Sequence, residues 1–128
     1  MAIYLLDTSV IIDALNQKRG RWKLLGSLVE AGDTLACSVV TLTEIYAGIR
    51  PNETALTEQF LDALEHYQLD SRLARDAGLL KNEWAKQGRT LGVVDVIIAA
   101  TALTHHLALM TDNRKDFPMP QLVLYPLP

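Results

Sequence analysis

The chain has 128 residues, 49% of them hydrophobic and 21% charged, enough for one hydrophobic core and too few for two ordinary domains. Its 12 Lys and Arg against 15 Asp and Glu leave a net charge of −3, which excludes nucleic-acid binding held by bulk positive charge alone. A single cysteine, Cys37, excludes an internal disulfide, and with no basic leader and no apolar run of roughly 18 residues the expectation is a cytoplasmic protein outside the membrane.

Ile3-Tyr4-Leu5-Leu6 is a short apolar run stopped by Asp7, the pattern of a buried strand, and Val10, Ile11, Ala14 and Leu15 then recur at helical spacing. Lys18, Arg19, Arg21 and Lys23 follow as a basic cluster, predicted to be a solvated turn, with contact to an RNA backbone as the alternative. Residues 21–31 form a predicted helix closed by Gly32. Residues 35–39 read as a buried strand, and residues 41–49 as a helix stopped by Pro51. Apolar positions three or four apart (Leu56, Phe60, Leu64; Leu73, Ala77, Leu80, Trp84) predict two amphipathic helices, 53–66 and 71–87, paired as a hairpin. A turn at 88–92, a helix at 93–104, a strand at 107–110 and a last strand at 122–125 complete the chain. Alternating short strands and helices predict one domain over residues 1–128. Its expected architecture is a three-layer α/β/α sandwich around a mostly parallel sheet, with the helical hairpin attached.

The informative residues are acids. Asp7 ends the first strand, Glu44 sits in the first turn of its predicted helix, Asp95 interrupts the apolar run 93–100, and Asp112 follows the fourth apolar run. In a parallel sheet the strand C-termini share one edge, where the following helices begin and ligands generally bind. Each acid also has a purely structural reading. Asp7 is a natural N-cap, Thr41-Leu42-Thr43-Glu44 fits a capping box, and Asp112 suits a turn. Asp95 fits such a role least, because a carboxylate in an apolar helix is costly unless a cation or donors compensate it.

Carboxylates brought together raise one another's pKa values, so a cluster of them implies a bound cation. With no His or Cys among the candidates, all-oxygen ligation points to Mg²⁺, with Mn²⁺ as a substitute, and to hydrolysis of a phosphodiester. Setting four metal-bound acids aside from the balance of −3 leaves the rest of the chain at +1, so its surface need not repel RNA. The three histidines, His66, His105 and His106, are placed late in helices. Trp22 and Trp84 are read as core or interface anchors.

In order along the chain, the segments 5–13 (LLDTSVIID), 38–49 (SVVTLTEIYAGI), 95–102 (DVIIAATA) and 109–117 (LMTDNRKDF) resemble the motifs of PIN domains, most of all those of VapC-type toxins. The resemblance spans nearly the whole chain. It implies a Mg²⁺-dependent endoribonuclease acting on single-stranded or structured RNA, the toxin of a toxin–antitoxin pair that inhibits translation or growth. It also implies a homodimer silenced by a cognate antitoxin protein in the acidic groove. Asp7, Glu44 and Asp95 match the family's three principal acids, Asp7 and Asp95 as the direct metal ligands. Both Asp112 and Asp116 match the place of the fourth, with Asn113 between them. Thr8 or Ser9 would orient a water or phosphate beside Asp7, with capping of the helix as the equal alternative. Gly92-Val93-Val94 departs from the small polar or proline residue that many relatives carry before this aspartate. The alternative is a PIN-like module that binds RNA or protein without cutting.

Overall fold

The computed structural model describes all residues, Met1–Pro128. Four strands form one wholly parallel sheet in the order β3-β2-β1-β4: β1 (Ile3–Leu6), β2 (Thr34–Ser38), β3 (Glu65–Tyr67) and β4 (Ala108–Met110). Six helices cross over between them: α1 (Thr8–Leu15), α2 (Arg21–Glu30), α3 (Val39–Ala47), α4 (Thr54–Asp62), α5 (Ser71–Lys86) and α6 (Val93–His105). Leu5 is paired with Ala36 on one side and Leu109 on the other, so β1 is central.

The pleat divides the core between two faces. Leu5, Ala36 and Leu109 join Leu73, Ala77 and the α6 residues Val96–Ala100 in one cluster, which also holds Phe117 and Met119. Their strand neighbours Leu6, Leu35, Cys37 and Met110 point the other way, into Val10, Ile11 and Ala14 of α1, Leu25 of α2, Ile45 of α3 and Leu61 of α4. Each fully buried aliphatic side chain contributes roughly 1.5–3 kcal/mol of transfer free energy. Cys37 lies sealed in the second cluster, where burial pushes its thiol up to about 11. No helix is long and apolar enough to cross a membrane.

The three-layer parallel architecture is as expected, and four local expectations are corrected. The helical hairpin is not formed as such. The helix expected over 53–66 stops at Asp62, and Glu65–Tyr67 then pairs with Ala36–Ser38 as an edge strand, so α4 and α5 are separated by β3 and α5 packs on α6. Second, α3 starts at Val39 rather than at Thr41. The expected last strand is reduced to a single parallel bridge, Leu109 to Leu124, with Leu109 N–H donating to Val123 O and Tyr125 N–H to Leu109 O, each at 2.8 Å. Finally, His66 lies on β3 rather than late in a helix, and its ring Nε2 is 2.8 Å from Leu61 O.

Candidate active site

Asp7 leaves the C-terminal end of β1 and caps α1, with φ −71° and ψ 155°. Its Oδ1 accepts the Thr8 N–H at 2.8 Å, and its Oδ2 accepts the Thr111 hydroxyl at 2.7 Å and the Ser9 hydroxyl at 3.2 Å. The capping and site readings of Asp7 therefore describe one geometry. With 5% of its surface exposed, burial pushes its carboxyl above the usual range. The hydrogen bonds from Thr111, Thr8 and Ser9 draw it back down, and the charge of Glu44 raises it again.

Glu44 is not part of a capping box. Ser38 is the N-cap of α3, its hydroxyl accepting the Val40 N–H at 3.2 Å, which places Glu44 in the second turn. There its Oε1 accepts the Thr8 hydroxyl at 2.5 Å, joining α3 to the start of α1 beside Asp7.

Asp95 occupies the first turn of α6 and is half-buried, so its charge meets the positive end of the helix rather than the apolar interior expected for it. Even so, its pKa is pushed up to about 6, first by burial and then by the charges of Asp7, Asp116 and Glu44. Gly92 caps this helix. A Cβ added there would stand 3.2 Å from Asp95 Oδ2, so the apolar loop before the aspartate leaves room for its carboxylate.

The two candidates for the fourth acid separate. Asp112 turns toward α2, where its Oδ1 accepts from Arg21 Nη2 at 2.7 Å and lies 3.4 Å from Arg19 Nη1. Asp116 sits in a 3₁₀ turn over Arg114–Asp116 and raises Asp95. Arg89, in the turn before α6, donates to Lys115 O and draws that segment toward the site. Asp7, Glu44, Asp95 and Asp116 thus share one electrostatic neighbourhood at the strand ends.

Arg21 also departs from the sequence reading. It is 1% exposed, the opposite of a solvated turn, and half-buried Asp112 is its partner. Lys18 stands instead at the rim of an open cleft of about 490 Å³ that runs from Glu44 past Ile45 and Ile49 to Arg50. Trp22 is half-exposed and faces Phe60 with ring centroids 5.8 Å apart, whereas Trp84 packs against the α6 core. His105 lies against Tyr67, with 4.6 Å between ring centroids.

The donor set suits a hard divalent cation. It is all carboxylate, and burial together with the charges of Asp7, Asp116 and Glu44 raises Asp95 to about 6, a cost that a cation relieves. As the side chains stand, no three acids converge on one point.

The PIN domain family model matches residues 4–118. Ribonuclease VapC19 of Mycobacterium tuberculosis is 33% identical over 115 residues, covering 90% of this chain and 92% of the relative. The tRNA(fMet)-specific endonuclease VapC of Shigella flexneri is 27% identical over 122 residues, covering 91% of each. Among solved structures, VapBC2 from Rickettsia felis bound to a DNA fragment of its promoter superposes with a TM-score of 0.84 at 26% identity, over 96% of this chain and 97% of that one.

Proposed function

This chain belongs to the PIN domain family, and on that premise we propose that it is a Mg²⁺-dependent endoribonuclease, the VapC-type toxin of a toxin–antitoxin pair that arrests translation or growth in the cytoplasm. One observation carries the catalytic reading: Asp95, raised to about 6 first by burial, is also raised by the charges of Asp7, Asp116 and Glu44, three acids from three other segments of the chain. Asp7 and Asp95 would hold the ion directly, with Glu44 and Asp116 completing its surroundings and Asp112 left to its arginine. Mg²⁺, or Mn²⁺ in its place, supplies polarisation of the phosphodiester and a lowered pKa for the attacking water. The chain's own part is orientation. Thr111, Ser9 and the Thr8 amide fix the lone pairs of Asp7, and the Thr8 hydroxyl aims Glu44. Water adds to phosphorus as one P–O bond of the RNA breaks; the proton that water loses passes to solvent, and the departing oxygen takes one from solvent.

The relatives named ribonucleases support RNA as substrate, and the VapBC complex supports a cognate antitoxin. A cleft of about 550 Å³ between α2 and α4, lined by Trp22, Leu25, Val29, Phe60 and Leu64, supports an apolar anchor for that antitoxin away from the acids. A homodimer is proposed as well, with exposed Leu79 of α5 among the apolar residues left unpacked in one copy. The test is cleavage of single-stranded RNA by purified protein. Cleavage with Mg²⁺ or Mn²⁺, lost in EDTA and in Asp95→Asn, is expected; equal cleavage in EDTA overturns the reading.

A further inference from the structure

Arg21 is the largest fully buried side chain that the proposed chemistry leaves unused. Its Nη2 donates to Asp112 Oδ1 at 2.7 Å, both terminal nitrogens donate to Pro128 O at 3.3 Å, and Nη1 donates to Arg19 O at 3.2 Å. Two atoms of the pair, Arg21 Nε and Asp112 Oδ2, are buried without any hydrogen-bond partner. A buried ion pair left partly unsatisfied is a poor source of stability, and two apolar side chains of similar volume would serve as well or better. What the pair does provide is a fixed position for one turn of backbone.

That turn touches the acid site at both of its ends. Thr111, directly before Asp112, donates its hydroxyl to Asp7 Oδ2 at 2.7 Å while accepting the Asn113 N–H at 3.0 Å. Asp116 lies four residues beyond Asp112, in the segment whose other side is tied by Arg89 to Lys115 O. We propose that Arg21 is a positioning residue for the nuclease site: its guanidinium, held in the core at the start of α2, grips Asp112 and thereby sets both the Thr111 hydroxyl on Asp7 and the approach of Asp116 to Asp95. The inference rests on the nuclease reading above, but its structural half concerns cation affinity and stands separately.

The test compares wild type with Arg21→Met and with the double variant R21M/D112L, which removes both charges so that neither is buried alone. Each is assayed well below its thermal transition for RNA cleavage and, in the absence of RNA, for Mn²⁺ binding by calorimetry. The double variant is expected to melt within a few degrees of wild type, yet to lose 10- to 100-fold in kcat with KM within about twofold, and to bind Mn²⁺ several-fold more weakly. Arg21→Met alone should lose as much kcat and melt lower. A folded double variant with wild-type kcat and wild-type Mn²⁺ affinity overturns the proposal. So does a rise in Mn²⁺ affinity in Arg21→Met, since it would mean that the arginine withholds Asp112 from the ion. If wild type cleaves no RNA, the nuclease reading fails, and the Mn²⁺ comparison alone decides the role of Arg21.

Discussion

Thr111 and Asp7 stand 104 positions apart in the chain and are joined by a buried hydrogen bond of 2.7 Å, hydroxyl to carboxylate. A bond to a charged acceptor contributes about 1.5–3 kcal/mol, and this one favours the ionised form of an acid that burial otherwise pushes toward neutrality.

Thr111→Val should therefore raise the Asp7 pKa further and cut cleavage roughly 10- to 100-fold, the range that the loss of such a bond represents. Because the lost donor favours the carboxylate, the deficit should be larger at pH 6 than at pH 8. Thr111→Ser should keep most of the activity. Equal deficits for Val and Ser across that range would count against the hydrogen bond as the cause.

Asp95 makes metal-free stability depend on pH in a defined sense. Its folded pKa, near 6, is raised above the ordinary carboxyl value, so the stability it contributes is full below about pH 4 and is lost as pH rises through 6. After discounting for solvent screening of a half-exposed group, about 1 kcal/mol is at stake, or roughly 3–5 °C in melting temperature. Metal-free wild type should thus lose this increment between about pH 4 and pH 7, and Mg²⁺ should restore it at the higher pH. Asp95→Asn should show neither effect, and should melt at or above metal-free wild type at pH 7.5. A lower melting point for that variant would mark Asp95 as a structural residue.

Gly92→Ala probes the space left for Asp95. A methyl group 3.2 Å from Oδ2 displaces the carboxylate by a few tenths of an ångström, in a backbone conformation that alanine adopts freely. A several-fold fall in kcat with a near-unchanged melting temperature is expected. Steady-state kinetics beside a thermal scan would check it, and full activity would show that the site tolerates the shift.

Trp22→Ala removes the exposed wall of the cleft between α2 and α4, whose lining includes none of Asp7, Glu44, Asp95 and Asp116. It should weaken binding of the cognate antitoxin at least tenfold, as loss of a large aromatic anchor does, while cleavage stays at the wild-type rate. Titration calorimetry with the antitoxin reads the first and an RNA assay the second. Light scattering on the same samples should give twice the monomer mass; a monomer at micromolar concentration would overturn the proposed dimer.

Most of the sheet and its crossovers were legible because buried strands and amphipathic helices leave strong local patterns, as at Leu5-Leu6 and along α5. The edge strand β3 was not, because Glu65-His66-Tyr67 has three residues and no apolar run, and Leu64 prolongs the helical spacing of α4 past its end. The start of α3 was obscured by Val39-Val40, a β-branched pair that continues the look of β2; the Ser38 hydroxyl was the signal that marked the boundary. All the converging acids were visible as residues, but which of Asp112 and Asp116 faces Asp95 depends on where Arg21 points. Arg21 was the residue most misread. Among neighbouring cations it looks solvated, and its partner lies 91 positions away.

Asp7 does more than present a carboxylate, since its own N–H donates to Met110 O at 2.9 Å and continues the ladder of the central strand. Amides of that kind are expected to exchange only when the whole domain opens, whereas Asp95 and Asp116 lie in a first helical turn and a 3₁₀ turn, positions from which local opening is expected. The site therefore has one jaw as durable as the molecule and another that can give. An ion or a strand of RNA that draws the second jaw inward would slow hydrogen exchange around residues 92–95 and 113–116 and leave Asp7, already at the ceiling, unchanged.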